Sequence, residues 1–430
     1  MKTYKVKPIC GRLVFCVEVP GSKSITNRAL LLAALAQGKT ILRGTLFSDD
    51  SRVFIQALKA VGYKIDVDEE KAIVTVEGGT ISFGENRKVY VGSAGTAARF
   101  LTAMLALSGS EFVMEASKQM KKRPMKPLLT ALEQLGVTFE YLENKYAFPF
   151  RICSYQDNEK EEVLLNIDES SQFLSALLMA GIHRKRNLRI RLTGKRSAKS
   201  YVEITKKMMK SFGVEIRVLS ENEYEIPVGQ DYKAMDYQIE PDVSAACYFY
   251  GIAALTGGTG TVLHVTPDSM QGDIQFLSLL EQMGCEVTFT DGSITLQGAE
   301  PGTLKGVEVD MSDFSDQTMT LAAMAPFLRG KTVIRNVAHI RGQESDRLKA
   351  IAENLKRLGI KVTEYEDGLE IMPGIVEPCS IHTYEDHRMA MAFTLTGCMA
   401  DGIQIENPEC CKKTFENFFE VYESILDLTN

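Results

Sequence analysis

Apolar and small residues recur along this chain in six helix-like runs, each opened by polar, glycine or basic residues: NRALLLAAL, AGTAARFLTAMLAL, SSQFLSALLMAG, VSAACYFYGIAAL, SDQTMTLAAMAPFL and HRMAMAFTLTG. With Arg28, Arg99, Gln172, Ala245, Thr318 and Arg388 as equivalent marks, the spacings are 71, 73, 73, 73 and 70 residues, so six such units account for nearly all of the sequence. A second pattern is interleaved with the first: an amphipathic helix, a glycine, then an alternating strand, as in ALKAVGYKIDV, ALEQLGVTFEY, MMKSFGVEIRV, LLEQMGCEVTF and NLKRLGIKVTE. The glycines at 62, 136, 213, 284 and 359 suit a helix C′ position in the left-handed region. The period-two alternation that follows reads as a half-buried strand. Each unit is thus predicted to hold two helices with strands between them, giving an α/β chain of repeated subdomains rather than a thin solenoid.

A chain of 430 residues exceeds the size at which one core keeps growing, so two domains are expected. Hydrophobic content of 45% and charged content of 24% fit a soluble globular protein. The start MKTYKVKPICGRL lacks the apolar core of a signal peptide, and no apolar run approaches the roughly 20 residues needed to span a bilayer. Nine cysteines at 10, 16, 153, 247, 285, 379, 398, 410 and 411 show no CxxC or ligand spacing and read as reduced thiols in a cytoplasmic compartment. Five histidines form no HExxH and no close pair, so no metal is expected. The net charge of -7 argues against nonspecific nucleic-acid binding. Yet Lys23, Arg28, Arg99 and Arg388 sit at the openings of the repeated helices. A cation at the positive end of a helix is disfavoured unless an anion joins it, so these placements point to a small anionic ligand.

In VPGSKSITNRALLLAAL, free N–H groups at a helix start, Lys23, Ser24 and Arg28 together suit an anion. GxxxxGK[ST] is absent, so no nucleotide is implied. In VGSAGTAARF, Gly95 permits close backbone approach, with Arg99 one turn in. KQMKKRPMKPLL ends a basic run of Lys121, Lys122 and Arg123 at Pro124, which is expected to start the next helix. IDESSQFLSALLM places Ser170, Ser171 and Gln172 at a helix start; capping accounts for either serine but not for Gln172. The later half supplies acids: Asp316 at SDQTMTLAAMAPF, and Glu344 three residues before Arg347, a spacing that shares a helix face. Arg388 opens HRMAMAF, and Lys413 lies near a further helix start.

At these residues the chain resembles the EPSP synthases, the 3-phosphoshikimate 1-carboxyvinyltransferases of the enolpyruvyl transferase family. PGSKS..NRALLLAAL, AGTAARF, KRP, SSQFLSALLM, EPDVSAACYF, QGD, SDQTMTLA, ESDRL, DHRMAM and KTF occur in family order over the whole length. The resemblance implies two similar domains, each of three α/β units, closing over their substrates: residues 21–239, with most of the shikimate 3-phosphate site, and a discontinuous domain of 1–20 with 240–430. It implies addition of the enolpyruvyl group of phosphoenolpyruvate to the 5-hydroxyl of shikimate 3-phosphate, with loss of phosphate, in the shikimate pathway, and competition by glyphosate. By the same resemblance Lys23, Ser24, Arg28, Ser170, Ser171, Gln172, Tyr201 and Asp316 match shikimate 3-phosphate positions. Lys23, Gly95, Arg99, Arg123, Gln172, Arg347, Arg388 and Lys413 match the phosphoenolpyruvate site. Asp316, Glu344, Lys23 and Lys413 match the catalytic set, with Asp316 preferred as the base for the hydroxyl and Glu344, alone or with Lys23, for the C3 proton. No cofactor is implied, and a monomer without nucleic-acid or membrane partners is expected.

Three departures stand out. Phe100 replaces a frequent proline, Gln343 stands where many members have lysine, and Ala198 replaces a common serine beside Ser197 and Ser200. The related UDP-N-acetylglucosamine branch often uses a loop cysteine, which the KQMKKRPMK segment lacks. A scaffold that merely binds an anion would not need Asp316 and Glu344.

Overall fold

The structure is a computed structural model that describes residues 2–79, 87–194 and 199–427. Ser197 and Ala198 lie outside the described residues, as does the side chain of Ser200. The chain divides into two compact units, Gly21–Ile239 and Met1–Pro20 with Glu240–Asn430.

Among the described residues of Gly21–Ile239, six α-helices alternate in character. Helices α1 (Lys23–Leu35), α3 (Gly95–Leu107) and α5 (Gln172–Ala180) are apolar almost all round and pack against one another. Every residue of α3 is buried, the mark of a helix enclosed on all sides. Helices α2 (Asp49–Val61), α4 (Lys126–Gln134) and α6 (Lys199–Ser211) are amphipathic. Beside each pair lies a four-stranded sheet. The first contains β3 (Gly38–Arg43), β4 (Lys64–Asp68) and β5 (Ile73–Gly78). The second contains β6 (Arg87–Tyr90), β7 (Phe112–Glu115), β8 (Val137–Tyr141) and β9 (Phe150–Tyr155). The third contains β10 (Glu162–Asn166), β11 (Leu188–Thr193), β12 (Arg217–Ser220) and β13 (Glu223–Ile226). The first is completed by β14 (Asp236–Gln238), which returns from the far end of the unit to pair parallel with β3.

The other unit repeats the plan with α7 (Val243–Thr256), α9 (Thr318–Met324) and α11 (His387–Met399) inside and α8 (Gln275–Met283), α10 (Arg347–Arg357) and α12 (Phe418–Leu426) as further helices. One sheet joins β2 (Val14–Val17) to β15 (Thr259–Val262), β17 (Ser293–Gln297) and β16 (Glu286–Thr290). A second holds β18 (Glu308–Asp310), β19 (Thr332–Arg335), β21 (Leu369–Ile371) and β20 (Val362–Glu364). The last has three strands, β1 (Thr3–Lys5), β23 (Gln404–Glu406) and β22 (Ser380–Ile381). In all six sheets one parallel pair is followed by antiparallel pairing, so the repeat in the sequence is a repeat of topology.

Gly62, Gly136, Gly213, Gly284 and Gly359 all carry positive φ, from 75° to 124°, at the ends of α2, α4, α6, α8 and α10. Three local expectations fail. The SDQTMTLAAMAPFL run is only partly α-helix: Ser315–Gln317 and Ala325–Phe327 are 3₁₀ turns on either side of α9, and at its C-terminal side Pro326 has no N–H to continue the ladder. Helix α4 starts at Lys126 with Pro127 in its first turn, not at Pro124, and Lys121 and Lys122 lie in a separate 3₁₀ turn. Glu344 precedes α10, whose N-cap is Asp346, so Glu344 and Arg347 do not share a helix face.

Candidate functional site

In Gly21–Ile239 the starts of the three buried helices are cross-linked by side chains. Asn27 Nδ2 donates to Thr96 Oγ1 at 2.6 Å, joining α1 to α3. Arg99 Nη1 donates to Gln172 Oε1 at 2.6 Å, joining α3 to α5, and Arg28 Nη2 donates to Ser175 Oγ at 3.1 Å, joining α1 to α5. Ser22, Ala94 and Ser171 are the N-cap residues, and none makes a side-chain cap bond. At the start of α5 one N–H is taken by a neighbour of the N-cap, as Ser170 Oγ accepts from Gln172 N at 3.3 Å. Three positive helix ends therefore lie together with Lys23, Ser24, Ser170, Ser171 and Gln172 at or beside their first residues.

Arg28 is 1% exposed. Its Nε donates to Thr205 Oγ1 at 2.9 Å, Nη1 to the Ser24 carbonyl at 2.9 Å and Nη2 also to the Tyr201 carbonyl at 3.4 Å, while its guanidinium lies 5.5 Å from the Phe100 ring centroid. All of these partners are neutral. Burial pulls its pKa down to about 10, against a small opposing effect of Tyr201. A buried cation held by neutral groups is an unfavourable state that an anion relieves. Lys23 Nζ, in contrast, has Asp50 at 3.7 Å.

Gly95 is the first residue of α3 and lies against two more guanidinium groups. A Cβ at Gly95 would stand 2.8 Å from Arg99 Nη1 and 3.0 Å from both Nη1 and Nη2 of Arg123. Arg99 Nη2 donates to the Pro124 carbonyl at 3.1 Å, and Arg123 Nη1 to the Ser93 carbonyl at 3.3 Å. Of the basic run it is Arg123 that lies here, while Lys121 pairs with Glu143 at 2.6 Å.

The other unit is built on opposite charges. Arg347, the first residue of α10 and 1% exposed, is the hub. Its Nε donates to Asp386 Oδ2 at 2.7 Å, Nη1 to Asp316 Oδ1 at 2.9 Å and to Gln343 Oε1, and Nη2 to Glu344 Oε2 at 3.0 Å and Asp386 Oδ1 at 3.3 Å. Asp316 Oδ2 also meets Arg388 Nη2 at 2.8 Å, and Glu344 Oε1 meets Lys413 Nζ at 3.0 Å. Burial alone lowers the pKa of Arg347, but Asp386, Glu344 and Asp316 outweigh it and hold the guanidinium above its ordinary value. Asp386 caps α11 by accepting from Arg388 N at 3.0 Å. Beside this network, Asp273 accepts from Ser244 Oγ and is pushed up to about 6 by burial and by Asp316, with Arg388 opposing.

Arg347, Arg388 and Lys413 are thus each ion-paired within this unit, because three carboxylates converge on the same place. Sequence reasoning missed Asp386, Asp50, Asp273, Ser175 and Thr205 as parts of these clusters. Asp386 alone carried a signal, as an acid just before an apolar helix. Gln343, read as a lost cation, serves as an acceptor for Arg347. Among the described residues no group of three or more His, Cys, Asp or Glu is placed to hold a metal ion, and no helix is long and apolar enough to cross a membrane.

Comparison with known proteins places these clusters in context. The model of the family described as EPSP synthase (3-phosphoshikimate 1-carboxyvinyltransferase) matches residues 8–422. A 3-phosphoshikimate 1-carboxyvinyltransferase of a Nostoc species is 42% identical over 413 residues, covering 96% of each chain. One from Photobacterium profundum is 41% identical over 408 residues, with 94% of each covered. The solved EPSP synthase from Acinetobacter baumannii superimposes with a TM-score of 0.84 at 26% identity, over 99% of this chain and 98% of its own. With a family model that spans nearly the whole sequence, relatives above 40% identity end to end and the same six-module α/β fold, the chain belongs to the EPSP synthase family.

Proposed function

We propose that Asp316 and Glu344 carry the proton transfers of the family's reaction in this chain. That reaction moves the enolpyruvyl group of phosphoenolpyruvate to the 5-hydroxyl of shikimate 3-phosphate and releases phosphate; the chain is the enzyme of this step, a transferase of aromatic amino acid biosynthesis. In the addition, C3 of phosphoenolpyruvate takes a proton, the 5-oxygen forms a bond to C2, and the hydroxyl proton goes to a base. In the elimination, C3 returns a proton, the C2–C3 double bond re-forms, and the C2–O bond to phosphate breaks.

The observation that carries the reading is the junction of both carboxylates on one guanidinium: Asp316 at 2.9 Å and Glu344 at 3.0 Å from Arg347. Each has a second cation, Arg388 or Lys413. Substrate anions that draw on Arg388 and Lys413 loosen these pairs and leave Asp316 and Glu344 as proton acceptors next to the reacting atoms. Asp316 takes the hydroxyl proton. Glu344, alone or with Lys23, serves C3, and Lys413 steadies the departing phosphate.

The Gly21–Ile239 unit is assigned the shikimate phosphate through Lys23, Ser24, Arg28, Ser170, Ser171 and Gln172, with Tyr201 beside the ring. The neutral surroundings of Arg28 support this assignment. Phosphoenolpyruvate is assigned to Lys23, Gly95, Arg99, Arg123 and Gln172 in that unit and to Arg347, Arg388 and Lys413 in the other. The enzyme is further proposed to act as a cytoplasmic monomer. Nine free cysteines without a pairing pattern suit a reducing compartment.

The test uses Asp316→Asn and Glu344→Gln with product detected by mass in D2O. Each should lower kcat by about 10²- to 10⁴-fold, the usual worth of a general acid or base, and Glu344→Gln should also suppress deuterium entry at C3. Full activity in either variant would remove that residue from the proton path.

A further inference from the structure

A guanidinium has five N–H bonds, and Arg347 uses all five on its own side-chain neighbours: two to Asp386, one each to Asp316, Glu344 and Gln343. An incoming anion therefore finds no open N–H on Arg347, and one partner must leave before a substrate oxygen can be accepted. The four partners differ in how readily they can go. Asp386 is fully buried and caps α11, so its departure would leave a buried charge and an open helix start. Asp316 and Glu344 are charged, so parting from Arg347 costs each of them an ion pair. Gln343 is neutral and partly exposed, and it precedes α10 in a stretch without regular secondary structure. A neutral amide is the weaker acceptor for a guanidinium and loses least on returning to water.

We propose that Gln343 holds the place of a substrate oxygen on Arg347, and that its amide is the ligand displaced when the anionic group of phosphoenolpyruvate docks there. Gln343 is then a specificity-determining residue that acts through Arg347. It keeps the fifth N–H satisfied in the unliganded enzyme and sets the affinity for phosphoenolpyruvate by how firmly it resists displacement. The inference rests on the reading of Arg347 as a phosphoenolpyruvate contact.

Steady-state KM for each substrate in three variants tests it. Gln343→Ala replaces the amide by water, and should lower the KM for phosphoenolpyruvate by about 2- to 10-fold, the factor that corresponds to one net hydrogen bond, with the KM for shikimate 3-phosphate unchanged. Gln343→Glu substitutes a charged occupant and should raise the KM for phosphoenolpyruvate by about 10-fold or more. A KM for phosphoenolpyruvate that rises or stays unchanged in Gln343→Ala overturns the proposal, since Gln343 would then be a substrate contact or a bystander. Arg347→Lys separates this from failure of the underlying reading. A raised KM for phosphoenolpyruvate there, together with no fall in Gln343→Ala, sinks the displacement alone; an unchanged KM in Arg347→Lys, with folding verified by circular dichroism, sinks both.

Discussion

Replacing Gly95 by alanine puts the assignment of the phosphoenolpyruvate residues to a quantitative test. Gly95 does not have positive φ, and it is the first residue of α3, so alanine fits the backbone and gains up to about 1 kcal/mol of helix propensity. The new methyl would stand 2.8 Å from Arg99 Nη1 and 3.0 Å from both terminal nitrogens of Arg123, where ordinary non-bonded contact begins near about 3.5 Å. Both guanidinium groups must retreat by roughly half an ångström or more. For Arg123, whose bond to the Ser93 carbonyl is already 3.3 Å, that retreat breaks the tether. Loss of one charge-assisted hydrogen bond to an anion costs about 1.5–3 kcal/mol, or about 10- to 150-fold. The expected result is a KM for phosphoenolpyruvate raised within that range, an inhibition constant for glyphosate raised at least as much, a KM for shikimate 3-phosphate within about 2-fold and a melting temperature unchanged or higher. Equal losses for both substrates would refute the reasoning, because Gly95 would then serve the fold rather than the anion. An unchanged enzyme would show that the two arginines yield at no cost.

Arg28→Met should raise the KM for shikimate 3-phosphate by about 100-fold or more while shifting the melting temperature by only a few degrees, since Thr205 Oγ1 and Ser175 Oγ bond each other at 2.9 Å and an unneutralised buried cation is removed; a collapse in stability with affinity retained would make Arg28 structural. Asp273 is lifted from 3.8 to about 6 in the folded chain, so its contribution to stability is fully present below about pH 4 and is lost as pH rises through 6. Asp273→Asn should accordingly gain on the parent across that window, by at most about 3 kcal/mol, in denaturant titrations at pH 4 and pH 7, and a constant offset would show that Asp273 titrates normally. A chelator-treated sample should form product at the untreated rate; activity that returns only with added divalent ion would overturn the expectation of a metal-free enzyme.

The repeat was legible because it is written in local chemistry. Buried helices are apolar on every side, amphipathic ones end at glycines, and both features recur at near-constant spacing. The residue types of the candidate site could be picked out too, since lysines and arginines at helix starts contradict the helix dipole. What the sequence hid was pairing at a distance. Arg347 meets Asp316 and Asp386 from 31 and 39 positions away, and Lys413 meets Glu344 across 69, and no periodicity encodes such partners. The proline at 326 was visible, yet the apolar pattern of its run overrode it in the reading and hid a helix of only seven residues. Gln343 shows the limit most sharply: a lost positive charge in the sequence is a gained acceptor in the structure.

The strands that complete the sheets from far along the chain have a bearing on synthesis. β14 closes the first sheet of Gly21–Ile239 from within the same stretch, so this unit has every strand it needs once residue 239 has left the ribosome. β2 pairs with β15, and β1 with β23, so both strands are made long before their partners. At about 5–20 residues per second, β2 waits on the order of 10–50 s and β1 still longer, with Val14 and Phe15 unpaired all the while. The nascent chain thus holds an open β edge next to a finished domain, and a chaperone or a slow stretch of codons would have its effect during that interval.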